Sequence, residues 1–131
     1  MSPIVKLVSA AVFAAASAAP LPARADPLYD RCAARAVTNP DYSKCGAAML
    51  DRLEASLNAT WKSVYPRFPA EAKPALLAEQ RQWIAFKDKS CLVYATRAFG
   101  REGQVIQYFT CRATVLTDRI HALKGLGSTG Q

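Results

Sequence analysis

Histidine is almost missing from this chain. His121 is the only one in 131 residues, and the four cysteines show no C-x-x-C spacing. Those two gaps exclude the usual zinc sites, and no metal or cofactor is expected. No glycine-rich phosphate loop occurs. No segment alternates polar and apolar residues for long enough to make a useful strand. No apolar run reaches the roughly 20 residues that span a bilayer. Acidic residues are scarce beside basic ones, 10 against 17, which leaves a net charge of +7. The basic residues are scattered along the chain. Without a motif or a basic cluster, nucleic acid is not an expected partner.

The missing chemistry extends to catalysis. His121 has no serine or cysteine nucleophile near it in sequence. Glu79 and Asp88 invite comparison with an acid–base pair. Nine residues along one helix separate them by about 13–14 Å, too far to share a bond. They read as solvated or structural carboxylates, and the chain does not read as an enzyme.

What is present begins with an export signal. Lys6 precedes an uncharged run from Leu7 to Ala19, and Pro20 and Pro22 break it. Ala23-Arg24-Ala25 fits the small-x-small cleavage rule. The residues before Cys32 are Tyr29-Asp30-Arg31, unlike a lipoprotein cleavage site. Residues 1–25 are therefore expected to be a cleaved signal peptide, with no stable membrane anchor and a periplasmic or secreted product. Removing them leaves 106 residues and, without Lys6 and Arg24, a net charge of +5. One domain of this size buries one modest core. The charge favours anionic glycans, lipid head groups or carboxylate-lined clefts, or simply serves solubility.

The mature part reads as helices. Asp26-Pro27 resembles a cap followed by a first-turn proline, opening a short helix to about Ala36. Asn39 and Pro40 open the first long helix as cap and first residue. Cys45, Met49, Leu53, Leu57, Trp61 and Val64 then step by threes and fours down one face. Pro66 ends that helix near Val64. A second helix carries Leu76, Leu77, Gln80, Trp83, Ile84, Cys91, Leu92 and Ala95 as far as about Ala98. Trp83 is expected to be nearly buried. After a turn at Gly100–Gly103, a third helix sets Val105, Phe109, Ala113, Leu116, Ile120 and Leu123 on one face. Gly125 suits the position just past its end, and residues 125–131 read as a flexible tail. The expected fold is all-α: a small antiparallel helical bundle of three long helices and a short N-terminal one, residues 26–124.

An even number of cysteines in a small exported chain points to disulfides. Cys32 and Cys45 lie symmetrically about the Thr38-Asn39 turn, and Cys91 and Cys111 about Arg101. That symmetry pairs Cys32 with Cys45 and Cys91 with Cys111. A Cys45–Cys91 bridge between neighbouring helices remains open.

Several of these residues recur as a set. Leu50-Asp51 through Leu57-Asn58 and Trp61 come first, followed by Leu77. Next come Gln80-Arg81-x-Trp83-Ile84-x-Phe86-Lys87-Asp88-x-x-Cys91 and then Cys111, Thr117-x-Arg119 and Leu123. The set resembles the LprI-type lysozyme-inhibitor domain family from about Cys32 to Leu123. Trp61 stands where tyrosine is commoner, and Lys87 where arginine is common. The resemblance implies a small helical, disulfide-bonded exported bacterial protein, with lysozyme inhibition among the family's activities. Within the set, Asp88 is expected to pair with Arg119. Asn58 and Gln80 are expected to bond each other or a backbone carbonyl.

A lysozyme-like glycosidase holds two carboxylates in a cleft. Two loops offer it a cation beside an aromatic: Arg67-Phe68 and Phe99-Gly100-Arg101. Blocking such a cleft is the first expected function. Holding an anionic glycan or lipid in the envelope is the second.

Overall fold

The structure, a computed structural model, describes residues 26–129; the expected signal peptide lies outside them. The described residues form helices and contain no strand. Helix α1 spans Pro27–Ala33, α2 Asn39–Val64, α3 Lys73–Lys89, α4 Leu92–Ala95, α5 Gly100–Glu102 and α6 Tyr108–Thr129. Tight 3₁₀ turns at Tyr65–Arg67 and Arg97–Phe99 join them, and Gly103–Gln107 is a π-helical segment leading into α6.

The ends follow from local chemistry. Asp26 caps α1, its carboxylate accepting from the amides of Leu28 and Tyr29 at 2.9 and 3.2 Å. The cap of α2 is Thr38, one residue before the expected Asn39. Thr38 and Asp41 bond each other's amides reciprocally. Hydrogen bonds from Thr38 and Val37 hold the Asp41 carboxyl below its ordinary range. Helix α1 ends three residues before Ala36, and Cys32 then bridges to Cys45.

Two long helices depart from expectation. Helix α3 ends at Lys89 instead of Ala98. The Ser90 hydroxyl donates to the Phe86 carbonyl at 2.8 Å, and Cys91 takes a left-handed conformation, φ 67°. Cys91 is bridged to Cys111, with Cα atoms 5.9 Å apart. Helix α6 passes through Gly125 and Gly127 to Thr129, so Gly125 does not terminate it. Leu126 packs on the core, and Gly127 lets the helix lie close to Val64.

The bundle runs up, down, up. Gly46 of α2 lies under the Phe109 ring of α6, where an added Cβ would sit 2.3 Å from Cγ. Gly127 faces Val64 near the far ends of the same two helices. Both contacts advance in the same direction, so α2 and α6 are parallel neighbours. Helix α3 runs antiparallel beside them, its Lys87 at Glu54 and its Gln80 at Arg119. Leu57, Leu76, Leu116, Ile120 and Leu123 form the core, with Leu53, Trp61, Phe68 and Trp83 packed against it. Trp83 is half-buried, less than expected, because it lies at the edge of the α3–α6 seam beneath the Arg119 guanidinium.

Candidate functional site at the Cys91–Cys111 end

The chain between α3 and α6 is tied down from several sides. The Thr96 hydroxyl donates to the Val93 carbonyl at 2.7 Å, which tightens α4. Gln104 Nε2 reaches back to the Ala95 carbonyl at 3.2 Å, closing the base of the loop. The Phe99 ring meets Tyr94 edge-on, centroids 5.0 Å apart. Beneath Phe99 lies Gly103, where an added Cβ would come within 2.4 Å of the Phe99 Cβ. Gly100 has φ 64° and ψ −164°, a conformation open to glycine and strained for other residues. The Cys91–Cys111 bridge anchors the whole element to α6.

This scaffold presents Arg97, Phe99 and Arg101 to solvent. A shallow recess of about 430 Å³ lies among them, lined by Arg97, Gly100, Arg101 and Gln104. No carboxylate lines it, and neither arginine forms an ion pair among the described residues. Glu102 is exposed next to Arg101 but does not line the recess. The recess is a cationic surface with an aromatic edge. It suits an anionic or carboxylate-bearing partner. Phe99 and Arg101 are candidates by residue type, whereas Arg97 and Gln104 join them only through the geometry of the recess. The absence of any acidic residue from Lys89 to Arg101 was the signal for Arg97.

The second candidate loop is elsewhere. Arg67 and Phe68 follow α2, at the opposite end of a 26-residue helix and so about 39 Å from its start. Phe68 packs on the core and is not available as an aromatic tip. Arg67 folds back, its Nε donating to the Ser63 carbonyl at 2.8 Å. The two loops cannot enter one cleft together.

The shared residues of α3 and α6 are arranged differently from the expected pairing. Arg119 is buried and bonds Glu79 Oε1 at 2.5 Å and Gln80 Oε1 at 2.9 Å. Asp88 is exposed, with Lys87 3.5 Å away, and does not reach Arg119. Its place on α3 is more than two turns from Glu79, and Arg119 meets the Glu79 level. Asn58 is exposed and Gln80 spends its carbonyl on Arg119, so these two do not pair. Asp51 is exposed and Leu57 is buried in the core. Lys87 instead reaches Glu54 at 2.8 Å, and Arg112 donates to the Lys87 carbonyl. These groups bind helices to each other and leave no free acid–base pair.

A family model described as lysozyme inhibitor LprI matches residues 31–123. The chain belongs to the lysozyme inhibitor LprI family. Membership implies a lysozyme-inhibitor-like role and a protein partner such as lysozyme. The LprI family is an inhibitor domain family and not a known enzyme family. Membership and the two disulfides together point to an extracytoplasmic protein. No curated protein and no solved structure matches the chain.

Proposed function

We propose that this LprI-family chain blocks the cleft of a lysozyme-like glycosidase with its Arg97–Arg101 loop. The observation that carries the reading is the pinned loop, with two arginines and an aromatic and no carboxylate of its own. Cleft carboxylates meet cations there, and Phe99 supplies apolar contact. The loop loses little freedom on binding because the fold already holds it, which favours affinity. Residues 1–25 act as a leader removed after Ala25 and deliver the chain to the compartment where such enzymes work. The protein binds and performs no reaction. Arg67 and Phe68 drop out, since they lie at the other end of the bundle.

The net charge bears on the kinetics. A basic glycosidase repels a basic inhibitor at long range, while its locally acidic cleft attracts the loop at short range. Moderate salt screens the first effect more than the second. Association then holds or rises slightly with salt. Simple capture of an anionic polymer falls steadily instead. An activity assay of a lysozyme with and without the protein tests the reading.

A further inference from the structure

Most of the large apolar side chains left exposed among the described residues fall between Ile84 and Phe99. Phe86 is 59% exposed on the last turn of α3; Leu92 and Val93 are 48% and 55% exposed on α4. Their surroundings are basic. Lys89, Arg97 and Arg101 are exposed, and no acidic residue occurs from Lys89 to Arg101. The exposed Glu102 that follows offsets Arg101 in part, which leaves Lys89 and Arg97 as the flanking cations. Asp88, the nearest carboxylate before that stretch, lies 3.5 Å from the Lys87 ammonium.

We propose that Phe86, Leu92 and Val93 form a docking surface for an anionic phospholipid bilayer. Apolar side chains flanked by cations match the boundary between acyl chains and acidic head groups. The apolar groups enter that boundary, and Lys89 and Arg97 stay at the level of the phosphates. No helix among the described residues is long and apolar enough to cross a membrane, and the docking proposed is to the bilayer surface. A second copy of this chain fits less well. A two-fold interface through this surface brings two patches of the same positive sign together, and like charges repel. Lipid docking goes beyond the inhibitory reading and uses different side chains at its centre.

The test is co-sedimentation of the intact protein with vesicles. One set is phosphatidylcholine alone and the other includes phosphatidylglycerol. Self-association and lysozyme inhibition are measured on the same preparations. The native protein is expected to bind the anionic vesicles and leave the neutral ones. Leu92→Ser combined with Val93→Ser lowers that binding about tenfold, from the apolar area no longer buried. Arg97→Gln lowers it about fivefold, the worth of one basic side chain near a charged surface. Leu92 and Val93 are exposed, so the double variant keeps its helical circular dichroism and any lysozyme inhibition. Phe86→Ser gives the same loss of vesicle binding from a different element. Absence of binding to anionic vesicles overturns the proposal. So does binding unchanged by the Leu92 and Val93 substitutions, which is adsorption by charge alone. Self-association that these substitutions abolish also overturns it, because a second copy then covers the surface. A native protein that binds vesicles but inhibits no lysozyme supports lipid docking and overturns only the inhibitory reading.

Discussion

Arg119 and Gln80 meet inside the α3–α6 seam, the arginine Nε donating to the glutamine Oε1 at 2.9 Å. Both side chains are buried, and Glu79 completes the contact from the rim. The guanidinium carbon stands 5.8 Å from the Trp83 ring centre. A buried charge so placed depends on its acceptors. Arg119 Nη2 already has no hydrogen-bond partner among the described residues.

Removing Gln80 therefore strands a second donor. Gln80→Ala is expected to cost about 1–3 kcal/mol, the penalty for a buried group left unsatisfied. Glu79 is more than half exposed, so solvent screens its pair. Glu79→Ala is expected to cost about 1 kcal/mol or less. Urea unfolding of the two variants measures the difference, and equal losses would contradict the assignment.

Gly46 allows α2 and α6 to touch. An added methyl at 2.3 Å from Phe109 Cγ and 2.7 Å from its Cβ meets the fixed root of that side chain. Alanine gains up to about 1 kcal/mol in helix propensity over glycine. Overpacking costs about 1–3 kcal/mol and is the larger effect here. Gly46→Ala is expected to lower the unfolding midpoint. A raised midpoint would show that the helices have room to part.

Much of this architecture was legible from spacing. The α2 stripe from Cys45 to Val64 and the stripe from Val105, in the π-helical segment, to Leu123 of α6 fall where threes and fours placed them. The turn symmetry also gave both disulfides. The break at Ser90–Cys91 was not legible. Leu92 and Ala95 continue the helical pattern, and nothing in residue type announces a left-handed cysteine. The Arg119 partner was missed for a related reason. Periodicity gives faces but not the relative height of two helices, and Asp88 lies too far along α3. At the loop, residue type alone put Phe99 and Arg101 forward as candidates. That Arg67 lies at the opposite end follows from the long helix between the two loops, whereas the packing of Phe68 on the core required the tertiary structure.

Cys91 supplies a backbone test. Left-handed geometry costs an ordinary residue about 1–2 kcal/mol and glycine little. Cys91→Gly with Cys111→Ala is thus expected to be about 1 kcal/mol more stable than Cys91→Ala with Cys111→Ala. Both lose the bridge, so the comparison isolates the conformation at residue 91. Thermal unfolding of the two double variants reads it, and the reverse order would contradict the left-handed turn.

Asp26 gives the fold an acid-sensitive contact. Partial burial pushes its carboxyl up, but the Arg52 guanidinium and the amides of Tyr29 and Leu28 outweigh burial and hold it below its ordinary value. The unfolded chain then takes up the proton first. The stabilisation is present above the ordinary carboxylate value of 3.8 and is lost as pH falls below it through the folded value. Asp26→Asn keeps a capping side chain but loses this dependence. Melting temperatures of native and variant protein should therefore converge below about pH 3.8. A gap that stays constant as pH falls would remove Asp26 from that role.

The inhibitory loop is most directly tested by titrating a lysozyme with native protein, Arg101→Glu and Arg67→Glu. Arg101 and Arg67 are both exposed and stand at opposite ends of the bundle. The native protein is expected to inhibit. Arg101→Glu should weaken inhibition by tenfold or more, roughly the 1.4 kcal/mol or more that reversing a charge against a carboxylate costs. Arg67→Glu should inhibit like the native protein. No inhibition by the native protein, or full inhibition by Arg101→Glu, would contradict the account.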